Sequence, residues 1–211
     1  MNVKNAMIGL GAILGLFLIL FVAYKLTNTP PADPKIIESA TKVKSTDNVK
    51  WNLKSDNVLI EYSDLQCPSC RSFNTFLKEI EKTATPNAAF VFRNFPLAQL
   101  HPNAYTASYA AQAAALQGKF WEMEDALYEK QPEWSGLPNP KDYFIKLASN
   151  LKLDAEKFQK DMDSTEVRDK VQADLTEGEL IGVNSTPSLY LNGNKVQVKT
   201  FEEFKDLLLS L

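Results

Sequence analysis

The two cysteines of this 211-residue chain occur together, in Cys67-Pro68-Ser69-Cys70. The apolar run before them, 57–62 (NVLIEY), is typical of a buried strand. After them, apolar residues recur at positions i, i+3, i+4 and i+7, namely Phe73, Phe76, Leu77 and Ile80. This spacing predicts an amphipathic helix over 68–83, and proline suits its first turn because the missing N–H would have no partner there. The cysteine pair therefore joins a strand to the N-terminus of a helix.

The rest of the sequence predicts one more strand, a block of helices, a hairpin and a final helix. The strand covers 88–95, and the hairpin strands 188–191 and 195–198 flank an Asn192-Gly193 turn. About five helices are predicted between them, at 103–117, 119–130, 141–150, 155–163 and 165–180, with a loop at 132–140. Thr200 and Glu203 form a capping box ahead of the last apolar pattern. This order, β-α-β, helices, β-β-α, predicts an α/β thioredoxin fold with an inserted helical domain.

A long uncharged apolar stretch, 6–24, lies near the N-terminus. As a helix that rises about 1.5 Å per residue it would span nearly 30 Å, the thickness of a bilayer's hydrocarbon core. We therefore predict a single N-terminal transmembrane helix at 6–26 after a cytoplasmic tip at 1–5. A cleaved signal peptide is the alternative, but its apolar region is usually shorter and Phe21 stands where a small residue is wanted. The polar, proline-rich stretch 27–50 is interpreted as a tether.

Composition and charge narrow the possible functions. The chain is 45% hydrophobic and 23% charged, which excludes a disordered or low-complexity protein for most of its length. Its formal net charge of -3 provides no basic field for a phosphate backbone, so we predict no nucleic-acid partner. Two cysteines and one histidine cannot fill a zinc site of four such ligands. We therefore predict no metal and no cofactor besides a redox-active disulfide.

The helix N-terminus gives the two cysteines different chemistry. The first sulfur lies where the helix N–H groups and the positive end of the helix dipole converge, which favours a thiolate over a thiol. We expect Cys67 to be the nucleophile with a lowered pKa, and Cys70, one turn into the helix, to be its shielded partner. Redox use is favoured over a zinc ribbon because no second ligand pair exists. A purely structural disulfide is less favoured, since so short a loop constrains the unfolded chain little.

Five stretches of the chain resemble the DsbA-type thiol-disulfide oxidoreductases, in particular the membrane-anchored bacterial branch of the DsbA and BdbD type. They are VLIEYSDLQCPSC (58–70), FRNFPL (92–97), HPNAYTASYAAQAA (101–114), QGKFWEMEDALYE (117–129) and GVNSTPSLYLNG (182–193). They follow one another in family order. The resemblance implies a thioredoxin-fold domain at 51–101 and 183–211, with the inserted helical domain at 102–182.

The resemblance also implies roles for residues around the pair. Thr186-Pro187 would form a cis peptide packed against the disulfide and offer backbone hydrogen bonds to an unfolded substrate. Glu61 matches the family's buried acid, which moves protons for the less accessible sulfur; an outward-facing strand residue is the alternative. Pro68 and Ser69 tune the pair. Because the strongest oxidants of the family carry histidine at the second of these positions, Ser69 implies a milder oxidant.

The function implied by the resemblance is extracytoplasmic disulfide formation. The protein would sit in the cell membrane through 6–26 and introduce disulfides into translocated, unfolded proteins by way of Cys67 and Cys70. A DsbB-like quinone oxidoreductase of the membrane would reoxidise it. Two alternatives stay open: a reductase or isomerase that uses the same residues, and a tethered binding protein with an inert disulfide. We expect the lone histidine, His101, to cap or pack rather than to catalyse.

Overall fold

The computed structural model describes residues 15–21, 41–198 and 200–211. Residues 15–21 are helical, with exposed apolar side chains. No helix within these described ranges has both the length and the apolar character needed to cross a membrane. The predicted tip at 1–5 and most of the predicted anchor at 6–26 lie outside the described residues. The anchor therefore stays a prediction.

From residue 41 onward, the described chain forms five strands and eight helices. The strands are β1 (Asn48–Trp51), β2 (Val58–Ser63), β3 (Ala89–Asn94), β4 (Ser188–Leu191) and β5 (Asn194–Lys195). The helices are α1 (Pro68–Glu81), α2 (Ala104–Ala115), α3 (Phe120–Glu129), α4 (Gln131–Trp134), α5 (Lys141–Asn150), α6 (Ala155–Met162), α7 (Thr165–Leu180) and α8 (Phe201–Leu209). Helices α2 to α7 fall between β3 and β4, in the stretch predicted as the insertion. The predicted α/β fold with a helical insertion is confirmed.

The five strands form one sheet in the order β1-β3-β2-β4-β5. The central strands β2 and β3 are parallel, and the other pairs are antiparallel. Alternate residues of β2 face different layers: Leu59 packs with α1 and α8, whereas Ile60 and Tyr62 pack with α7. By the same alternation, Glu61 and Ser63 point to the side of α1. This face carries the polar residues beneath the cysteines.

Strand β1 is absent from the sequence-based expectation, which assigns residues up to 50 to the tether. The structure pairs it with β3, from Asn48 opposite Phe92 to Trp51 opposite Ala89. All four of its residues are partly exposed, so the sequence lacks the apolar run that marks a buried strand. Hydrogen bonding to β3, rather than burial of an apolar run, orders this segment. Residues 48–50 thus belong to the sheet, and Lys50 is fixed with its Nζ 4.6 Å from the centre of the Trp121 ring.

Two other boundaries differ from the sequence-based expectation. The first residues of the predicted loop at 132–140 belong to helix α4 instead. Trp134 anchors this helix, because its side chain is fully buried and its indole N–H donates to the Leu127 carbonyl at 2.8 Å. The last strand, β5, covers two residues rather than four. The hairpin turn itself is as predicted: Asn192 and Gly193 have φ of 49° and 80°, the left-handed conformations that a two-residue turn needs.

Candidate active site

Cys67 and Cys70 lie at the junction of β2 and α1, where the sequence predicts them. Cys67 is the N-cap residue of α1, with an extended backbone (φ -72°, ψ 124°), and Pro68 begins the helix. Both cysteines are thiols. Cys67 keeps 8% of its surface exposed, whereas Cys70 has none. One sulfur is therefore within reach of solvent and the other is enclosed.

The turn before Cys67 is held by the buried carboxylate of Asp64. Its Oδ1 accepts the backbone N–H of Gln66 at 2.7 Å, and its Oδ2 accepts the N–H of Leu97 at 2.9 Å. The Nδ1 atom of His101 lies 2.7 Å from the same Oδ2. Asp64 thereby ties the turn before Cys67 to the distant segment that carries Leu97 and His101. The structure thus places His101 in contact with the carboxylate that holds the turn before Cys67.

The inserted helices also hold the cysteine turn. The side-chain amide of Gln131 donates to the carbonyl oxygens of Leu65 at 2.9 Å and Cys67 at 3.1 Å. The side chain of Gln66 donates to the Ser135 carbonyl at 2.8 Å. No sequence pattern indicates the contribution of Gln131, because this residue borders a predicted loop and its partners are more than sixty positions away.

The Thr186-Pro187 peptide bond is cis and precedes β4 directly. The Thr186 carbonyl oxygen lies 3.6 Å from Cys67 Sγ, where it can accept a hydrogen bond when this sulfur is protonated. Residues 119 positions apart in sequence are thus brought together at the nucleophile. This arrangement matches the one that the resemblance implies, while the role of Thr186 and Pro187 toward a substrate stays a prediction.

The two thiols have opposite acidities. The pKa of Cys67 is lowered to about 5, mainly by a hydrogen bond from the Cys70 thiol, with burial opposing and with help from Thr186 and the backbone at Ser69 and Cys70. The pKa of Cys70 is raised well above its usual range, first by burial, then by its bond to Cys67 and the negative charge of Glu61. At neutral pH the Cys67 sulfur is a thiolate and the Cys70 sulfur keeps its proton.

Glu61 lies beneath the cysteines with 3% of its surface exposed, so the alternative of an outward-facing residue is wrong. The Ser63 hydroxyl donates to Glu61 Oε1 at 2.6 Å and lies 2.8 Å from the Tyr128 hydroxyl. Burial raises the pKa of Glu61 to about 7, although Ser63 and the positive charge of Lys50 both oppose this shift. Glu61 therefore gains and loses a proton near neutral pH.

A second buried acid, Glu124 of α3, was not anticipated. Its side chain is 3% exposed and accepts a hydrogen bond from the Asn74 amide at 2.8 Å. Burial raises the pKa of Glu124 to about 8, while Lys50 opposes this shift. Lys50 is thus the basic neighbour of both acids. A signal for Glu124 exists in the sequence, since it occupies the i+4 position of the apolar stripe formed by Phe120, Met123 and Leu127.

The two residues between the cysteines, Pro68 and Ser69, are exposed on the first turn of α1. They therefore border any molecule that approaches Cys67, and the Ser69 backbone helps to lower the pKa of Cys67. Within the described ranges, no group of three or more His, Cys, Asp or Glu residues is placed to hold a metal ion. The absence of a metal or other cofactor stays a prediction.

Curated relatives match the chain over only part of their own length. The Na(+)/H(+) antiporter NhaA 1 of Mycolicibacterium vanbaalenii is 36% identical over 151 residues, which are 70% of this chain and 23% of the antiporter. The chain spans about a quarter of the length of such relatives. Their antiporter activity belongs to proteins about three times as long as this chain, and it is not transferred to it.

Solved structures share the fold. BdbD from Bacillus subtilis superimposes with a TM-score of 0.66 at 22% identity, over 78% of this chain and 94% of BdbD. The thiol-disulfide exchange protein alpha-DsbA2 from Wolbachia pipientis gives a TM-score of 0.69 at 15% identity, over 82% and 92% of the two chains. A family model described as Thioredoxin matches residues 44–209, most of the sequence. The chain therefore belongs to the thioredoxin family.

Proposed function

We propose that this protein is a thiol-disulfide oxidoreductase that works as an oxidase, introducing disulfides into unfolded proteins outside the cytoplasm. The observation that carries the proposal is the opposite acidity of two thiols at one helix N-terminus. Cys67 is partly exposed with a pKa near 5, and Cys70 is enclosed with a raised pKa. A pair built in this way has one sulfur to react with substrate and one to close the disulfide again.

The oxidase cycle consists of two exchanges. A substrate thiolate attacks Cys67 Sγ of the disulfide form, the bond to Cys70 breaks, and Cys70 leaves and takes up a proton. A second substrate thiolate then attacks the substrate sulfur joined to Cys67, and Cys67 leaves as a thiolate. The substrate has lost two electrons and the protein has gained them. A thiol of low pKa is a good leaving group, so the acidity of Cys67 supports this direction.

An apolar groove of about 410 Å³ adjoins Pro187 and supports unfolded chains as substrates. Its lining includes Phe73, Leu189, Phe201 and Phe204. Folded proteins bury their large apolar side chains, whereas unfolded ones present them, and such a groove accepts them regardless of exact sequence. The neighbouring Thr186-Pro187 backbone would then contact the substrate main chain beside the reacting sulfur.

We further propose where the domain acts and which protein reoxidises it. The anchor at 6–26 would hold it on the extracytoplasmic side of the cell membrane, where disulfides persist. A quinone-linked membrane oxidoreductase of the DsbB kind would accept the two electrons from Cys67 and Cys70. An anchored protein meets such a partner within the plane of the membrane, which supports this choice of oxidant.

The test follows the oxidation of a reduced, unfolded ribonuclease by the full chain in detergent, in a glutathione buffer. We expect the wild type to accelerate loss of ribonuclease thiols, and Cys67→Ser to give only the uncatalysed rate. The Cys70→Ser variant should accumulate a mixed disulfide, because the enclosed thiol that resolves it is missing. Thiolate absorbance of the reduced wild type should titrate with a midpoint near 5.

Equal rates for wild type and Cys67→Ser would remove the oxidase proposal. A thiolate midpoint near 9.0, the ordinary value, would favour an inert pair in a binding protein. Acceleration of disulfide rearrangement in scrambled ribonuclease, without net loss of thiols from the reduced protein, would favour an isomerase.

A further inference from the structure

Ser63 lies between the enclosed cysteine and the buried acid. Its side chain is inaccessible to solvent, its Oγ is 2.6 Å from Glu61 Oε1, and its hydroxyl is close enough to the enclosed Cys70 thiol to lower the pKa of that thiol. We propose that Ser63 is a catalytic residue that carries the proton between Cys70 and Glu61 each time Cys70 attacks or leaves. This inference rests on the proposed function and assigns a step within it.

The proton relay depends on the single hydrogen of the Ser63 hydroxyl. A hydroxyl has one hydrogen to donate and two lone pairs with which to accept. Ser63 can stabilise the Glu61 carboxylate or the Cys70 thiolate, but it donates to only one of them at a time. The hydroxyl thus favours states in which one of the two groups is charged, and it links the loss of a proton by one to the gain of a proton by the other.

Tyr128 orients this hydroxyl. Its OH lies 2.8 Å from Ser63 Oγ and 3.5 Å from the Asp64 carbonyl oxygen, so its hydrogen is directed mainly to Ser63. Burial raises the pKa of Tyr128 far above its usual range, and the phenol stays protonated while its neighbours exchange protons. With one lone pair of Ser63 occupied by Tyr128 and its hydrogen donated to Glu61, the remaining lone pair is the one that can accept the Cys70 proton.

The step balances without another reactant. When Cys67 carries a mixed disulfide, the Cys70 S–H proton moves to Ser63 Oγ while the Ser63 O–H proton moves to the Glu61 carboxylate. The Cys70 thiolate then attacks Cys67 Sγ, the new disulfide forms, and the partner sulfur leaves as a thiolate. When a substrate thiolate opens the disulfide, the same two protons move in the opposite direction.

The experiment separates the two exchanges with oxidised glutathione as the probe. The reduced full chain in detergent is mixed with excess oxidised glutathione, quenched with acid at intervals, and analysed by intact mass. Formation of the Cys67 adduct depends on the glutathione concentration, whereas its resolution by Cys70 does not. For Ser63→Ala we expect adduct formation within about 2-fold of wild type and resolution slowed by about 100-fold, the usual worth of a proton-transfer group.

Matched variants distinguish the effect of losing the Ser63 hydroxyl from the effect of changing the side-chain shape. Ser63→Thr and Ser63→Val have the same shape, differ only by the hydroxyl, and suit a strand. They keep the test valid even if Ser63→Ala does not fold. Ser108→Ala removes another buried serine hydroxyl, on α2, and should resolve the adduct at the wild-type rate. The wild-type and Thr resolution rates should rise with pH around 7, as Glu61 ionises, and the Val variant should lack this midpoint.

Equal resolution rates and equal pH profiles for Ser63→Thr and Ser63→Val would overturn the inference while the proposed function stands. A wild-type protein that forms no adduct at Cys67 would contradict the proposed function itself, and the role of Ser63 would fall with it. Slow resolution with a lost midpoint in the Val variant alone supports the relay.

Discussion

Two buried polar clusters lie on opposite faces of strands β2 and β3. They differ in how fully their acidic groups are paired with cations. The acid cluster, on the side of α1, consists of Lys50, Glu61, Ser63, Glu124 and Tyr128. The ion-pair cluster, on the side of α7, consists of Lys44, Asp47, Arg93, Lys170 and Glu177. Glu61 and Ser63 of β2 thus face one side of the sheet and Arg93 of β3 faces the other, because side chains alternate between the faces of a sheet.

Each acid of the ion-pair cluster meets cations. Arg93 contacts Asp47 at 2.8 Å and Glu177 at 3.0 Å, Lys170 lies 3.3 Å from Asp47, and Lys44 bonds Glu177. Burial alone would raise the pKa of Asp47, but the hydrogen bonds and charge of Arg93, with Lys170, outweigh it and lower that pKa. The ion pairs of this cluster fix the segment before β1 against α7.

The acid cluster has more acid than base. Lys50 lies near both carboxyl groups and is also paired with Glu81 at 2.7 Å, so burial raises the pKa of Glu61 to about 7 and that of Glu124 to about 8. Among the described residues, Glu124 Oε2 has no hydrogen-bond partner. The comparison indicates that fully paired buried charges order the fold, whereas underpaired ones titrate near neutral pH and are suited to exchange protons beneath the cysteines.

The largest effect is expected from breaking the ion-pair cluster. Arg93→Leu leaves Asp47 and Glu177 buried without their main cation, which should cost about 3–5 kcal/mol of unfolding free energy. Urea unfolding of the full chain in detergent at pH 7 measures this loss. Arg168→Leu, which removes a half-exposed guanidinium, should cost less than about 1 kcal/mol. An equally small loss of unfolding free energy for Arg93→Leu would contradict the structural role of the cluster. In both variants the thiolate midpoint of Cys67 should stay at its wild-type value.

The two clusters differ in how far the sequence reveals them. The strand and helix that meet at Cys67 are local patterns, and the resemblance, not a pattern, predicts that Glu61 and Thr186-Pro187 lie beside them. Arg93 stands in a predicted strand, but its partners Asp47 and Glu177 are 46 and 84 positions away, and no periodicity joins them. Lys50 was missed for a related reason, since its strand is ordered only by pairing with β3.

The next effect uses pH to distinguish the clusters. Glu124 has a pKa of about 8 in the folded protein against an ordinary 4.5, so the folded state binds the proton more tightly and loses stability as pH rises between these values. At pH 7 this loss amounts to about 3 kcal/mol. Glu124→Gln should therefore unfold at higher urea than wild type at pH 7 and at nearly the same urea near pH 4.5.

Two comparisons sharpen this prediction. Glu122→Gln changes an exposed acid of the same helix and should leave the pH profile unchanged. Asp47, whose pKa is lowered below its ordinary 3.8, contributes stability that is present above that value and is lost as pH falls. The ion-pair cluster should thus weaken in acid and the acid cluster in base. A Glu124→Gln profile parallel to that of wild type would show that Glu124 does not titrate in this range.

The smallest effect is a shift in the acidity of Glu61 when Lys50 is replaced. Lys50→Met keeps an unbranched stem over the Phe90 and Trp121 rings, which the Lys50 Nζ approaches to 5.3 and 4.6 Å, but removes the positive charge. Because that charge lowers the pKa of Glu61, its loss should raise the pKa from about 7 by about one unit, equivalent to about 1.4 kcal/mol. The carboxyl carbon-13 resonance of Glu61, assigned with Glu61→Gln, measures this midpoint in the reduced protein.

The control is Lys54→Met, which removes an exposed positive charge nearby in the sequence. It should leave the midpoint of Glu61 unchanged, since water screens the charge of Lys54. An unchanged midpoint in Lys50→Met would mean that burial and Ser63, without Lys50, set the acidity of Glu61.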